Sequence, residues 1–255
     1  ASLRPAPAKT ALLASVLACA FLPAIAQAED FAADGPEIVV NGQHAEDANP
    51  NADSKAPYKV DRSADSRFTE PLRDTPKSIT VIPKEVIEDQ GATSFRELAR
   101  TTPGVTLGTG EGGNAFGDRI FIRGFEARND VYIDGQRDRG VSSREIFAVE
   151  QVEIVKGPSA AYFGRGTTGG SVGLESKKAR TSNGFVVGEL TGGTSDMVRA
   201  TVDASYQLGE GAALRVNGLY HTGDTPGRDY VDNERWGDSA ALGWKLSPTI
   251  SLDAD

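Results

Sequence analysis

Between Val198 and Leu208 the chain alternates without a break: Val198, Ala200, Val202, Ala204, Tyr206 and Leu208 interleave with Arg199, Thr201, Asp203, Ser205 and Gln207. A period of two puts the two sets on opposite faces of a strand, and the length suits a tilted membrane-spanning strand of about 9 to 11 residues. Leu214, Val216, Gly218 and Tyr220 alternate with Arg215, Asn217, Leu219 and His221, and Ala240, Leu242, Trp244 and Leu246 with Ser239, Ala241, Gly243 and Lys245. With Phe185–Leu190 before them and the residues from Thr249 after, the pattern predicts about five strands with one lipidic and one aqueous face. Leu208–Ala212 and Ser247–Pro248 are short links, whereas Gly192–Asp196 and especially Gly223–Arg235 are longer. Such a rhythm fits periplasmic turns alternating with extracellular loops. An open sheet edge cannot sit in lipid, so these strands belong to a barrel larger than the segment. A small soluble β-sandwich is the competing reading.

Upstream the pattern is different. From Arg119 to Gly170, the runs Ile120–Ile122, Val131–Ile133 and Val152–Val155 each lead into a glycine, Gly124, Gly135 or Gly157, which predicts a small compact sheet. Ser78–Ile82 reads as a strand, Pro83 opens a short helix through Glu88, and Gly91 ends it. Ser94 and Glu97 make a capping box for a helix over Phe95–Arg100, stopped by Pro103-Gly104. Val105–Leu107 leads into a glycine-rich loop, and Gly157-Pro158 opens a one-turn helix closed by Gly164. Residues 29–66 are polar and aperiodic, which predicts a flexible arm. One apolar island interrupts it: Glu37, Ile38, Val39, Val40, Asn41 and Gly42.

Composition adds the compartment. Arg4 and Lys9, an apolar core from Ala11 to about Leu22, and Ala26-Gln27-Ala28 form a secretory signal over residues 1–28. Its apolar core is shorter than the roughly 20 residues of a membrane span. A lipoprotein reading of Cys19 fits poorly, because Leu17 stands where a small residue is expected. Cys19 is the only cysteine, so the mature chain has no disulfide or thiolate site. The chain carries a net charge of −9; without residues 1–28, 25 of its 27 basic residues face all 36 acidic ones, a net −11. That balance argues against nucleic-acid binding. Neither Gly108–Gly113 nor Gly164–Gly170 ends in the Gly-Lys-Ser/Thr of a phosphate loop, and the two histidines, His44 and His221, are far apart in sequence. Neither a catalytic constellation nor a metal site is visible, so no enzyme activity is expected.

Several motifs in order carry a family resemblance: TVIPKEVIEDQG at Thr80–Gly91, IRGF at Ile122–Phe125, VYIDG at Val131–Gly135 and VEQVEIVKGPSAAYFGRGTTGG at Val149–Gly170. Together they resemble the plug of TonB-dependent outer-membrane receptors, and the stretch from Arg137 to Gly170 is most similar to the catecholate branch of the ferric-siderophore receptors. The resemblance implies an α+β plug, a small mixed sheet with short helices, followed by the first strands of a transmembrane antiparallel β-barrel. The implied organisation is a signal peptide (1–28), a periplasmic arm (29–66) with a TonB box at 37–42, a plug (67–178) and, over 179–255, the start of a barrel of about 22 strands. The arm is too short for the signalling domain that some members insert.

Further implications follow from the same resemblance. Glu37, Ile38, Val39, Val40 and Asn41 resemble the TonB box, which pairs edge to edge with TonB of the inner-membrane energising complex; a merely adhesive linker patch is the alternative. Arg123 and Lys156 resemble the latch that ties a plug to barrel glutamates. Arg137, Arg139 and Arg144, with Asn114 and Phe116 of the first loop, are the expected contacts for an anionic ferric catecholate, since guanidinium groups attract anions and stack on aromatic rings. The competing reading has these arginines salt-bridged to Asp138, Glu145 or a barrel wall. Gly110-Glu111 stands where ferrichrome-type relatives carry an arginine, which disfavours that ligand. Iron is carried only within the siderophore, with no resident cofactor. The expected surroundings are outer-membrane lipid of a Gram-negative cell. A receptor for another siderophore class, haem or an oligosaccharide, and a passive porin or adhesin, are the competing functions.

Overall fold

The computed structural model describes residues 48–53, 56–108, 117–139, 142–182, 184–228, 230–247 and 250–254. The expected signal peptide (1–28), the expected TonB-box residues Glu37–Asn41, and the candidate ligand contacts Asn114 and Phe116 lie outside these. Two compact units divide the chain, Asp47–Lys177 and the strands from Lys178 onward.

The first unit is built on a mixed five-stranded sheet. Its members are β3 (Ser78–Pro83), β7 (Val131–Ile133), β8 (Gln136–Asp138), β9 (Val149–Lys156) and β10 (Gly170–Ser176), in the order β3-β9-β10-β7-β8, with only β7 and β10 parallel. Alternation in β9 sends its side chains to two different packings. Val152 and Ile154, with Ile82, Val131, Val172 and Leu174, join Phe95 and Leu98 in the main core. Val155 faces the other way into a second core with Phe68, Tyr132 and Phe163. Helix α1 (Lys84–Asp89) follows β3, and α2 (Phe95–Thr101) carries the predicted capping box, in which the Glu97 carboxylate accepts the N–H of Thr93 at 2.6 Å and of Ser94 at 3.3 Å. The one-turn helix α3 (Ala160–Phe163) ends at Gly164 as expected. Asp134-Gly135, with φ of 47° and 77°, forms the left-handed two-residue turn between β7 and β8.

Two expectations are corrected. Ile120–Ile122 (β5) does not share a sheet with the other two runs; it pairs with β4 (Val105–Leu107) and β6 (Phe125–Glu126) in a separate three-stranded sheet. The supposed flexible arm does not reach Ser66. A hairpin of β1 (Ala52–Asp53) and β2 (Ala56–Val60) precedes a segment held by side-chain hydrogen bonds, so the compact unit begins at residue 47. Its anchors are polar residues, which give no hydrophobic period to read.

The second unit is an antiparallel meander: β11 (Phe185–Gly193), β12 (Met197–Gly209), β13 (Ala212–Asp224), β14 (Asp232–Ser247) and β15 (Ile250–Ala254). The expected long loop Gly223–Arg235 is shorter, because β13 and β14 stay paired out to Asp224 and Asp232; backbone pairing continues past the point where apolar alternation ends. Polarity is inverted as in a membrane barrel. Arg215 is 0% exposed and paired to Asp203 on one face, while Trp236, Trp244, Leu246 and Leu252 are exposed on the other. Trp236 and Trp244 lie eight residues apart on that outer face, about 27 Å along the strand, which at a strand tilt of about 40° rises about 20 Å, most of the height of an apolar band about 25 Å tall.

Gly170 fixes the entry to β10. With φ of 139°, a Cβ there would lie 2.0 Å from the carbonyl oxygen of Val155 on β9. A Cβ on Gly104, whose φ is 79°, would meet nothing within 4 Å. Gly170→Ala should therefore cost about 3 kcal/mol or more, and Gly104→Ala about 1. Urea unfolding with hydrogen exchange at the β9 and β10 amides measures both, and equal costs would sink the packing argument.

Candidate functional site

The β7–β8 hairpin places Arg137 at the centre of a polar cluster. Its guanidinium donates to the carbonyls of Asn129 (3.3 Å), Phe163 (3.2 Å) and Arg165 (2.7 Å), to the Asp130 carboxylate (3.2 Å) and to the Tyr132 hydroxyl. An open cleft of about 510 Å³ lies beside it, lined by Asn129, Arg137, Arg139, Phe163 and Arg165. Burial pushes the Tyr132 hydroxyl pKa up, against the opposing effect of Arg137.

Arg144 sits elsewhere. It is 7% exposed, and its guanidinium donates to Asp138 at 2.7 and 2.9 Å and lies 3.6 Å from Asp118. Asp118 accepts the Arg144 N–H at 2.9 Å, gives its own N–H to Ser142 at 3.1 Å, and lies 3.9 Å from Arg96. Phe95 N–H donates to the Arg144 carbonyl at 3.0 Å. These contacts tie the ends of both glycine-bearing loops, after Leu107 and after Asp138, to the start of α2. Burial raises the Asp118 carboxyl pKa despite the two arginines.

Arg123 and Lys156 are neighbours. Burial, and then the Arg123 charge, push the Lys156 amine down. The Arg123 guanidinium lies beside Gly157, where a Cβ would stand 3.2 Å from its Nη1, and Arg123 itself has a φ of 51°. Among the described residues neither side chain has a carboxylate partner.

The other face of β9 holds the segment that follows residue 47. Glu153 accepts from the Ser63 hydroxyl, from Ala64 N–H at 2.6 Å and from the Gln151 amide at 2.6 Å. The Asn49 amide donates to Gln151 at 3.0 Å, and its backbone N–H donates to Glu85 at 2.8 Å. Burial raises the Glu153 carboxyl pKa.

The structure thus brings Arg137 and Arg139 to one cleft and sets Arg144 apart. It also adds residues that sequence reasoning passed over: Asn129 and Arg165 at the cleft, Asp118 and Arg96 at the loop ends, and Glu153 on β9 with Asn49 and Ser63 of the segment after residue 47, which straps across that strand. Only the glycines flanking Arg165 mark any of these in the sequence.

An α+β unit followed by a polarity-inverted antiparallel meander is the order expected of a plug and the first strands of an outer-membrane barrel. Residues 71–171 match the family model for the TonB-dependent receptor plug domain, and the chain belongs to the TonB-dependent receptors. It is 44% identical over 200 residues to the probable TonB-dependent siderophore receptor PiuA of Acinetobacter baumannii, covering 77% of this chain and 25% of that protein. Over 197 residues it is 38% identical to the catecholate siderophore receptor Fiu of Escherichia coli K12, covering 76% and 26%. The crystal structure of PiuA superposes with a TM-score of 0.73 at 42% identity, over 77% of this chain and 28% of that one; the closed form of Fiu gives 0.69 at 37%, over 74% and 27%. The chain therefore spans about a quarter of the length of these relatives. It is an outer-membrane protein.

A carboxyl whose pKa is raised in the folded state stays protonated while the unfolded chain ionises. The stability it contributes is full below the ordinary carboxylate pKa of about 4 and declines as pH rises toward the raised value. Glu153 and Asp118 both carry this sign. Urea midpoints taken from about pH 4 to pH 7 should fall less steeply in Glu153→Gln/Asp118→Asn than in the parent; identical slopes would exclude the effect.

Proposed function

We propose that this chain is the ligand-gated entrance of a transport receptor, with no enzymatic activity, that imports an anionic ferric catecholate siderophore into the periplasm. The observation that carries the reading is the open cleft beside the β7–β8 hairpin, lined by the guanidinium groups of Arg137, Arg139 and Arg165 in a chain of net charge −9. Similarity to a receptor described as importing ferric catecholates supports the same ligand class. Iron enters as cargo within the siderophore.

Uptake against a gradient needs a pull, and residues 37–41 are the segment offered to TonB, by strand pairing. The strap after residue 47 would transmit it to β9, because Asn49, Ser63 and Ala64 are bonded to Gln151 and Glu153. Arg123 and Lys156 hold the plug through acidic groups beyond this chain.

Cells relying on the receptor should grow under iron limitation with a ferric catecholate and stop when the proton motive force is collapsed. Energy-independent uptake would instead make it a passive pore. Val39→Pro removes a donor from the pairing strand and should abolish uptake while leaving ligand affinity unchanged. Arg123→Ala should admit large antibiotics across the outer membrane; a loss of ligand affinity alone would remove it from the latch.

A further inference from the structure

We propose that Arg165 contacts the bound anion at the cleft beside β8, together with Arg139 and Asn129, and that Arg137 and Asp130 are the residues that position it. The inference rests on the reading of the chain as a receptor for an anionic ferric complex and supplies the contact surface.

Arg165 is displayed on a backbone that would not hold its shape unaided. Gly164, Gly166 and Thr167 have φ of 74°, 102° and 54°, and a β-branched residue adopts such a φ only under outside constraint. The constraint is visible. Arg137 donates to the carbonyls of Phe163 and Arg165, Asp130 accepts the N–H of Thr167 at 3.0 Å, and Ser159 N–H donates to the Thr167 carbonyl at 3.2 Å. A Cβ on Gly166 would lie 2.7 Å from Asp130, so the loop is pressed against its support. None of this serves the Arg165 side chain, which is exposed and, among the described residues, in no ion pair. Arg139 is in the same state.

The charge count separates strut from contact. Arg137 is neutralised by Asp130 and its donors are taken by carbonyls and the Tyr132 hydroxyl. Among the described residues, Arg139 and Arg165 therefore leave the cleft with two uncompensated positive charges, beside the Asn129 amide and Phe163. Guanidinium forks match paired oxygens, as in a catecholate or a phosphate, and their planes stack on aromatic rings. A volume of about 510 Å³ is of small-ligand size.

The test uses the full-length receptor with two probes, the ferric complex of 2,3-dihydroxybenzoate followed by quenching of tryptophan fluorescence, and inorganic pyrophosphate followed by calorimetry. Arg165→Gln should weaken binding about tenfold or more and flatten its salt dependence, with Arg165→Lys in between. Arg137→Lys keeps the charge but not the fork. It should weaken binding with the parent's salt dependence, and hydrogen exchange should rise over residues 163–167. Parent affinity in Arg165→Gln overturns the inference, and antibiotic leak with that affinity intact would make Arg165 a plug-holding residue. Binding of pyrophosphate alone, with the same Arg165 dependence, keeps the anion site and removes the catecholate reading. Binding of neither probe by the parent receptor ends the inference.

Discussion

Strand β9 has almost no solvent face, and the first unit is arranged by what each side of it must cover. Val152 and Ile154 meet the main core, and Val155 meets Phe68, Tyr132 and Phe163. Between these apolar contacts stand Gln151 and Glu153, fully or nearly fully buried. A buried carboxylate is expensive unless its acceptors are used. Here they are used by the strap, whose Ser63 and Ala64 have no other reason to lie against the sheet. The polar side of β9 thus makes the strap part of the fold, and the strap makes that polar side tolerable.

The reach of sequence reasoning follows from the same division. Regular elements were legible wherever a period or a cap marks them: the alternation in β12 to β14, the Ser94–Glu97 box, and the glycine closing α3. The strap was not, because its attachment depends on the side chains of Asn49 and Ser63 and the backbone N–H of Ala64 reaching residues about 90 to 100 positions away. No local pattern encodes such a pairing. The arginines show the limit again. Arg137, Arg139 and Arg144 look alike as cationic loop residues, yet Arg137 is spent on carbonyls, Arg144 on carboxylates, and Arg139 on neither. Which arginine is a strut depends on where Asp130 and Asp118 fall in space.

The second unit obeys the opposite rule. In β12 and β13 polar residues are buried beside Ala213 and Leu219: Arg215, Asn217, Asp203 and Ser205 lie on the inner face, and the Arg215–Asp203 pair satisfies both charges there. The outer face carries tryptophan and leucine that a soluble sheet would hide. A soluble sandwich would require that outer face to find a second sheet. Among the described residues none covers it, whereas lipid satisfies it directly.

The remaining question is why a folded unit keeps cations that its own carboxylates do not reach. Arg119, Arg137 and Arg144 are each met by an acid within the unit, so acids are not scarce. Arg123 and Lys156 stand together, with Arg123 at a strained φ and the Lys156 amine pushed down by burial and then by the Arg123 charge. Such an arrangement is disfavoured in the isolated unit and relieved by a carboxylate brought from outside it, which is how a latch must be built if it is to release. Arg139 and Arg165 differ in a way that matters: they line an open cleft, are exposed, and make no ion pair among the described residues. On the proposed reading one pair needs a permanent counter-charge and the other can wait for a transient one, and that difference in burial is what would separate holding the plug from meeting the cargo.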